Sequence, residues 1–285
     1  MIKLEQFLNI KGKLMDISQP VVMGILNVTP DSFYENSRKQ TEADILSRVE
    51  EIILQGGTIV DIGAQSTRPL SELVGAEEEI KRLDSALKII RNNYPDIIIS
   101  VDTFYSSVAR FCVEEYGVDM INDISGGEID KDMFETVAGL HVPYILMHMR
   151  GIPSTMQNFT NYDNLIQDIF YYFSEKVAKL RLLGVNDIII DPGFGFSKNL
   201  QQNYELMSHL ADFHIFKLPL LVGISRKTMI YKLLDSTPQE SLNGTSILNT
   251  YALLNGASIL RVHDVKEAVE AVKIVQQLKQ TATSI

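Results

Sequence analysis

Eight times along the chain, a short and nearly continuous aliphatic run is followed by a longer stretch with helical period. The runs are Val21–Asn27, Thr58–Ile62, Ile97–Val101, Val118–Asn122, Pro143–His148, Asp187–Ile190, Leu218–Gly223 and Ser258–Val262. Runs without polar alternation suit strands buried on both faces, as in a parallel sheet. Between them, Ile45, Val49 and Ile52–Ile53 share one helical face, as do Ile80, Leu83, Leu87 and Ile90, and Val265, Val269, Val272 and Val275. A unit of about 30–35 residues repeated eight times predicts an α/β fold, a (β/α)8 TIM barrel. A doubly wound sheet is the alternative, and the count alone does not exclude it. The residues before Val21 are expected to cap the barrel floor as a short N-terminal segment. An extra helix is expected over Glu240–Leu254, before the last strand. With no linker or compositional break, residues 1–285 read as one domain.

Composition narrows the function classes. A net charge of −10 argues against broad binding to nucleic acid or membrane surfaces. It leaves room for an anionic small molecule in a locally cationic pocket. The single cysteine, Cys112, rules out an intramolecular disulfide framework and a multi-cysteine zinc site, and it reads as a small buried hydrophobe. No apolar run approaches the roughly 18 residues of a membrane span. The start, MIKLEQFLNIKGK, lacks the apolar core of a secretory signal. A cytoplasmic protein is expected.

Barrel enzymes work at the carboxyl ends of their strands. There the runs end in Asn27, Asp61 with Ser66, Thr67 and Arg68, Asp102, Asn122–Asp123, Met147–His148, Asp191, Ser225–Arg226–Lys227, and Arg261, His263 and Asp264. Any one Asp or Asn after a strand is most simply a cap or turn residue. A polar residue at all eight ends is harder to explain that way. Asp102, Asn122, Asp191 and Lys227 offer acceptors and a donor for a flat heterocycle with amino and amide edges. Arg68, Arg261 and His263 come from the second and eighth units, flanked by the Asn27 loop, and could hold an anion. An acidic half beside a cationic half suits a polar ring that carries phosphate.

MGILNVTPDSF, DIGAQSTRP, SVDT, INDISGG, DPGFGF, GISRK and LRVHDV occur in this order across nearly the whole chain. In this the chain closely resembles the dihydropteroate synthases, pterin-binding TIM-barrel enzymes of folate biosynthesis and targets of sulfonamides. The resemblance implies condensation of 4-aminobenzoate with 6-hydroxymethyl-7,8-dihydropterin diphosphate, giving 7,8-dihydropteroate and diphosphate by an SN1-like route. It implies that Asp102, Asn122, Asp191 and Lys227 bind the pterin between the apolar walls Met147 and Phe196. Asn27, Arg261 and His263 are implied at the diphosphate, with Mg2+ held by the diphosphate and Asn27. Thr67, Arg68 and Pro69, with Phe33, are implied to face 4-aminobenzoate. Lys227, Arg261, His263 and Asp102 are the groups implied to act in catalysis, and a homodimer is implied as the assembly.

The chain departs from the family pattern in places. Glu35–Asn36–Ser37 stand where Asp–Gly–Gly is common, Ala64–Gln65 where Gly–Glu or Gly–Met is frequent, Leu70 where Gly follows STRP, and Thr228 where serine follows SRK. These changes flank the aminobenzoate side and leave open whether Asp31 or Glu35 approaches substrate; the pterin set is unchanged. His148 reads as a structural histidine, His141, His209 and His214 as surface or packing residues, Arg226 as a partner of a carboxylate, and Asp264 as an orienting or capping group. Asp61 has two open readings, beside the diphosphate or holding the STRP loop by its backbone N–H groups. A corrinoid-linked methyltransferase is the competing enzyme reading, and a pterin-binding paralogue without turnover the competing non-enzyme reading. The NVTPDSF, STRP and RVHD segments argue against the methyltransferase, whose substrate carries no diphosphate.

Overall fold

The computed structural model describes residues 6–28, 38–65 and 73–282. All eight runs form parallel strands: β3 (Val21–Asn27), β4 (Ile59–Gly63), β5 (Ile98–Asp102), β6 (Met120–Asp123), β7 (Tyr144–Met147), β8 (Ile188–Asp191), β9 (Leu221–Val222) and β10 (Ile259–Val262). Their order around the sheet is β8-β7-β6-β5-β4-β3-β10-β9. The ring closes through a parallel bridge between Ile190 and Leu220, where the Ile190 N–H donates to the Pro219 carbonyl at 3.0 Å. The seventh run is shortened to two ladder residues. Pro219 carries no N–H to donate, so the run enters the sheet through a carbonyl.

Helices cover the outside of the ring. They are α1 (Arg38–Leu54), α2 (Ala76–Asn93), α3 (Ser106–Tyr116), α4 (Met133–Leu140), α5 (Leu165–Leu182), α6 (Leu200–Ser208), α7 (Thr228–Leu233), α8 (Leu242–Leu254) and α9 (Val265–Ala282). The expected extra helix is α8. Outward strand residues such as Val60, Val101, Leu146 and Val222 pack with Val49, Leu83, Phe173 and Val272 of the helices in the main core. On α2 the buried face is turned by one residue from the periodic reading: Glu79, Leu83, Ala86, Leu87 and Ile90 are buried and Ile80 is half-buried.

The N-terminal segment is a hairpin of β1 (Phe7–Ile10) and β2 (Lys13–Asp16). Its two-residue turn, Lys11–Gly12, has positive φ at both positions, the geometry that matches hairpin twist. Leu8, Ile10 and Ile17 pack under an inward layer of Met23, Ile59, Met120, Ile145, Ile189, Leu221 and Ile259. The hairpin therefore closes the floor, as expected. Polar pins hold it there: Lys11 pairs with Asp119 at 2.7 Å, and the Asn9 N–H donates to Asp187 at 2.9 Å. Leu8→Ala should cost about 2–4 kcal/mol in urea unfolding, as for a core leucine. A loss no larger than the ~0.5 kcal/mol of a surface change would contradict the floor role.

Candidate active site

Strand parity builds the site. Successive side chains alternate between the barrel interior and the helix layer. On β4 the interior residues are Ile59, Asp61 and Gly63, because Val60 and Ile62 lie in the outer core. The same alternation sends inward Ser100 and Asp102 of β5, Asn122 of β6, Met147 of β7, Asp191 of β8 and Arg261 of β10. The interior is apolar at the floor and changes to charged and polar residues toward the carboxyl ends.

Arg261 is the centre of this upper layer. Its Nε donates to Asp61 at 2.6 Å and its Nη2 to Asp102 at 2.7 Å. Asp61 is fully buried and also accepts from Asn122 Nδ2 at 3.2 Å. Burial disfavours the Arg261 charge, but Asp61 and Asp102 outweigh it and hold the guanidinium above its usual range. Burial pushes Asp102 up to about 7 even though Arg261 pulls it down, and the charge of Asp61 adds to the rise. The STRP loop of one of its two open readings lies outside the described residues, and the other reading, beside the diphosphate, belongs with the Arg261 that Asp61 holds. Asp61 orients Arg261 and Asn122.

Asp191 and Lys227 flank this cluster. Asp191 accepts from the Gly193 N–H at 2.8 Å, and burial raises its carboxyl while Lys227 opposes the rise. Lys227 Nζ donates to the Phe194 carbonyl at 2.6 Å and lies 4.8 Å from the centroid of the Phe196 ring. Burial lowers Lys227 to about 8, with Asp191 holding it up. Met147 and Phe196 share a small apolar cluster with Phe104, Ile124, Met149 and Met156.

Asn27 is exposed at the end of β3. His263 lies at the rim, its N–H donating to Ser225 Oγ at 3.2 Å and its carbonyl accepting from Arg48 Nη2 at 2.6 Å. The His263 side chain opens to solvent at the mouth, yet enough protein surrounds it that desolvation is the largest effect on its charge. Arg261, Arg48 and Arg226 add to this against the pull of Asp264, and the imidazolium is lowered to about 4. Arg226 binds Asp264 through two bonds of 2.9 and 2.8 Å, as its structural reading expected. Phe33, Thr67, Arg68 and Pro69 lie outside the described residues, as do Asp31, Glu35, Asn36, Ser37 and Leu70.

This is a polar cluster at the carboxyl ends of a barrel, in which carboxylates, an amide and a lysine surround Arg261, with His263 at the rim. A family model described as a pterin binding enzyme matches residues 23–263. The dihydropteroate synthase of Escherichia coli (strain K12) is 42% identical over 268 residues, covering 93% of this chain and 94% of that protein. The chain belongs to the dihydropteroate synthase family. A Yersinia pestis dihydropteroate synthase solved with a sulfonamide drug superposes with a TM-score of 0.88 at 39% identity, covering 96% of this chain and 100% of that one. A Xanthomonas albilineans dihydropteroate synthase solved with 4-aminobenzoic acid gives 0.87 at 32% identity, covering 96% and 98%.

Within this dihydropteroate synthase fold the departure at Gln65 has a visible consequence. Gln65 bonds both the N–H and the carbonyl of Val74, at 3.2 Å each, and donates to Glu79. Burial raises Glu79 to about 7, and among the described residues its other carboxyl oxygen has no hydrogen-bond partner. His148 is buried beside Lys198, with their nitrogens 3.0 Å apart. Lys198 is a buried cation that the strand-end reading passed over, because it lies seven residues beyond Asp191.

A depressed histidine stabilises the folded state above its unfolded pKa of about 6.5, and that contribution is lost as pH falls through the folded value. For His263 the window runs from about 6.5 down to about 4. The Cε1–H resonance of His263 should therefore titrate well below 6.5 in the free enzyme. A midpoint at or above 6.5 would contradict the cationic rim.

Proposed function

We propose that the chain joins 4-aminobenzoate to 6-hydroxymethyl-7,8-dihydropterin diphosphate, giving 7,8-dihydropteroate and diphosphate for folate synthesis. The observation that carries this is the pairing, at one barrel mouth, of a buried or half-buried Asp102–Asn122–Asp191–Lys227 group with the guanidinium of Arg261 and the neutral imidazole of His263. Carboxylates accept from the ring N–H and amino groups, Lys227 donates to ring acceptors, and Met147 and Phe196 cover the ring faces.

The bond that breaks is methylene carbon to oxygen, and its electron pair leaves with the diphosphate. Arg261 and His263 stabilise the growing negative charge. In this reading the carboxylates of Asp102 and Asp191 favour the positive charge left on the pterin methylene, which supports a dissociative route. The neutral arylamine nitrogen then bonds to the methylene and loses its proton to solvent. No strong base is required, and positioning supplies much of the rate. In this reading Thr67, Arg68 and Pro69, with Phe33, face the aminobenzoate, the surface a sulfonamide would compete for.

Mg2+ is proposed as cofactor. Among the described residues no group of three or more His, Cys, Asp or Glu side chains is placed to hold a metal ion. The exposed Asn27 amide oxygen beside the diphosphate position fits an ion that takes one protein oxygen and substrate phosphates for the rest. When bound, the ion would neutralise diphosphate charge.

A homodimer is proposed through the outer helices. Leu233 at the end of α7 and Leu234 after it, Ile247, Tyr251 and Leu254 of α8, and Ile274 and Leu278 of α9 are exposed. Apolar residues on adjacent elements fit a self-associating face. Sedimentation at twice the chain mass is expected, and sedimentation at the chain mass would contradict it. No helix among the described residues is long and apolar enough to cross a membrane. The buried, unpaired Cys112 suits a reducing compartment, and the cytoplasm is proposed.

The test is a two-product assay of the purified chain with both substrates and Mg2+, with an EDTA control. Dihydropteroate and diphosphate should form together and depend on metal. Bound pterin with neither product would replace the enzyme reading with a binding one. Asp191→Asn and Lys227→Ala should each weaken pterin binding at least tenfold, about 1.4 kcal/mol. Arg68→Ala should mainly raise the KM for 4-aminobenzoate. Equal pterin affinity in Asp191→Asn and the parent would show that the pterin lies elsewhere.

A further inference from the structure

The turn after β8, Asp191–Lys198, has an unusual backbone. Gly193, Gly195 and Ser197 all have positive φ, at 73°, 82° and 50°. Ser197 is not glycine, so its left-handed conformation needs tertiary support. The segment after β7 supplies some of it. Ser197 Oγ accepts from the Arg150 N–H at 2.6 Å and donates to the Arg150 carbonyl at 3.0 Å, and Tyr162 donates to the Ser197 carbonyl at 3.0 Å. A Cβ on Gly193 would collide with the His148 carbonyl, so the two loops are wedged together.

Lys198 sits inside this wedge. Its Nζ is 3.0 Å from the Gly193 carbonyl, the Phe196 carbonyl and His148 Nδ1. Three ammonium N–H donors meet three acceptors, provided His148 is the Nε2–H tautomer. The turn they fix carries two groups of the proposed pterin pocket. Phe196 is one, and the Phe194 carbonyl that accepts from Lys227 is the other. Neither belongs to the aminobenzoate side.

We propose that Lys198 is a positioning residue for pterin binding, whose ammonium, with His148, holds the Gly193–Phe196 turn so that Phe196 and Lys227 meet the ring. The charged and titratable groups facing it are His148 and Arg150 after β7, Asp191 at the end of β8, and Lys227 after β9. Burial lowers Lys198 to about 7, with Asp191 resisting, and burial also keeps His148 far below its usual value and neutral. The charge on Lys198 therefore depends on its three acceptors and on Asp191.

This inference rests on the pterin reading of the site, so its test is built to separate the two. The parent and Lys198→Met are compared by calorimetric titration with 6-hydroxymethyl-7,8-dihydropterin diphosphate and by separate KM values for both substrates. The variant should bind the pterin substrate at least tenfold more weakly, with the KM for 4-aminobenzoate changed less than twofold. A merely structural lysine would lower the Tm and the active fraction but leave that split unmoved. Equal pterin affinity, or equal loss on both substrates, overturns the inference alone. A parent that binds no pterin diphosphate overturns the site reading and this inference with it. The second measurement needs no variant. Nitrogen NMR of the parent should show His148 with an unprotonated Nδ1 from pH 5.5 to 8, and a protonated Nδ1 would overturn the positioning pair.

Discussion

One guanidinium held between two carboxylates organises the top of this barrel. Arg261 reaches from β10 to Asp61 on β4 and Asp102 on β5, and Asp61 in turn holds Asn122 on β6. Taking such charges out of water costs several kcal/mol per ion, and attraction offsets this only with good geometry and full hydrogen bonding. Asp102 remains raised to about 7 beside the cation, so the offset is incomplete there. A pterin that donates to Asp102 would favour its charged form and complete the arrangement. The cluster contributes position more than stability. Stability comes from the apolar layer beneath it, sealed by the N-terminal hairpin, and from the helix-facing core.

The two halves of the pocket are linked through shared groups. Asp102, a pterin acceptor in the proposed reading, also anchors Arg261, which that reading puts at the leaving group. Lys227 stands over Phe196 while opposing the rise that burial imposes on the carboxyl of Asp191. In the proposed reading a ring held by the carboxylates is thereby set against Arg261. In that reading the scissile carbon–oxygen bond lies between the two, where opposite charges would develop at its two ends. Orientation and preorganised charge can then drive the chemistry without a covalent intermediate or a strong base.

Much of the fold was legible because it is periodic. All eight apolar runs became strands, and the extra helix and the floor segment lie where the spacing placed them. The site was legible at the strand ends, where Asn27, Asp102, Asn122, Asp191 and Lys227 are found. Asp61 was seen, but its partners were not. Only strand parity shows that it shares an interior face with Arg261. Lys198 was invisible for a different reason. Its surroundings come from the segment after β7, where His148 accepts from it and Arg150 and Tyr162 bond the neighbouring Ser197, long-range contacts with no local pattern. Glu79 shows the limit of helical period: Gln65 offers it a partner, so α2 buries a carboxylate beside the apolar face where Ile80 was expected.

The most direct measurement is a double-mutant cycle across the clamp, read as kcat/KM for the pterin diphosphate in Asp61→Asn, Arg261→Lys and the double variant. If Asp61 acts by aiming Arg261, the double variant should fall within about threefold of the more damaged single variant, because coupled residues are not additive. Losses that multiply in the double variant would mean that the two residues act independently, and the clamp would not be the organising contact of the site.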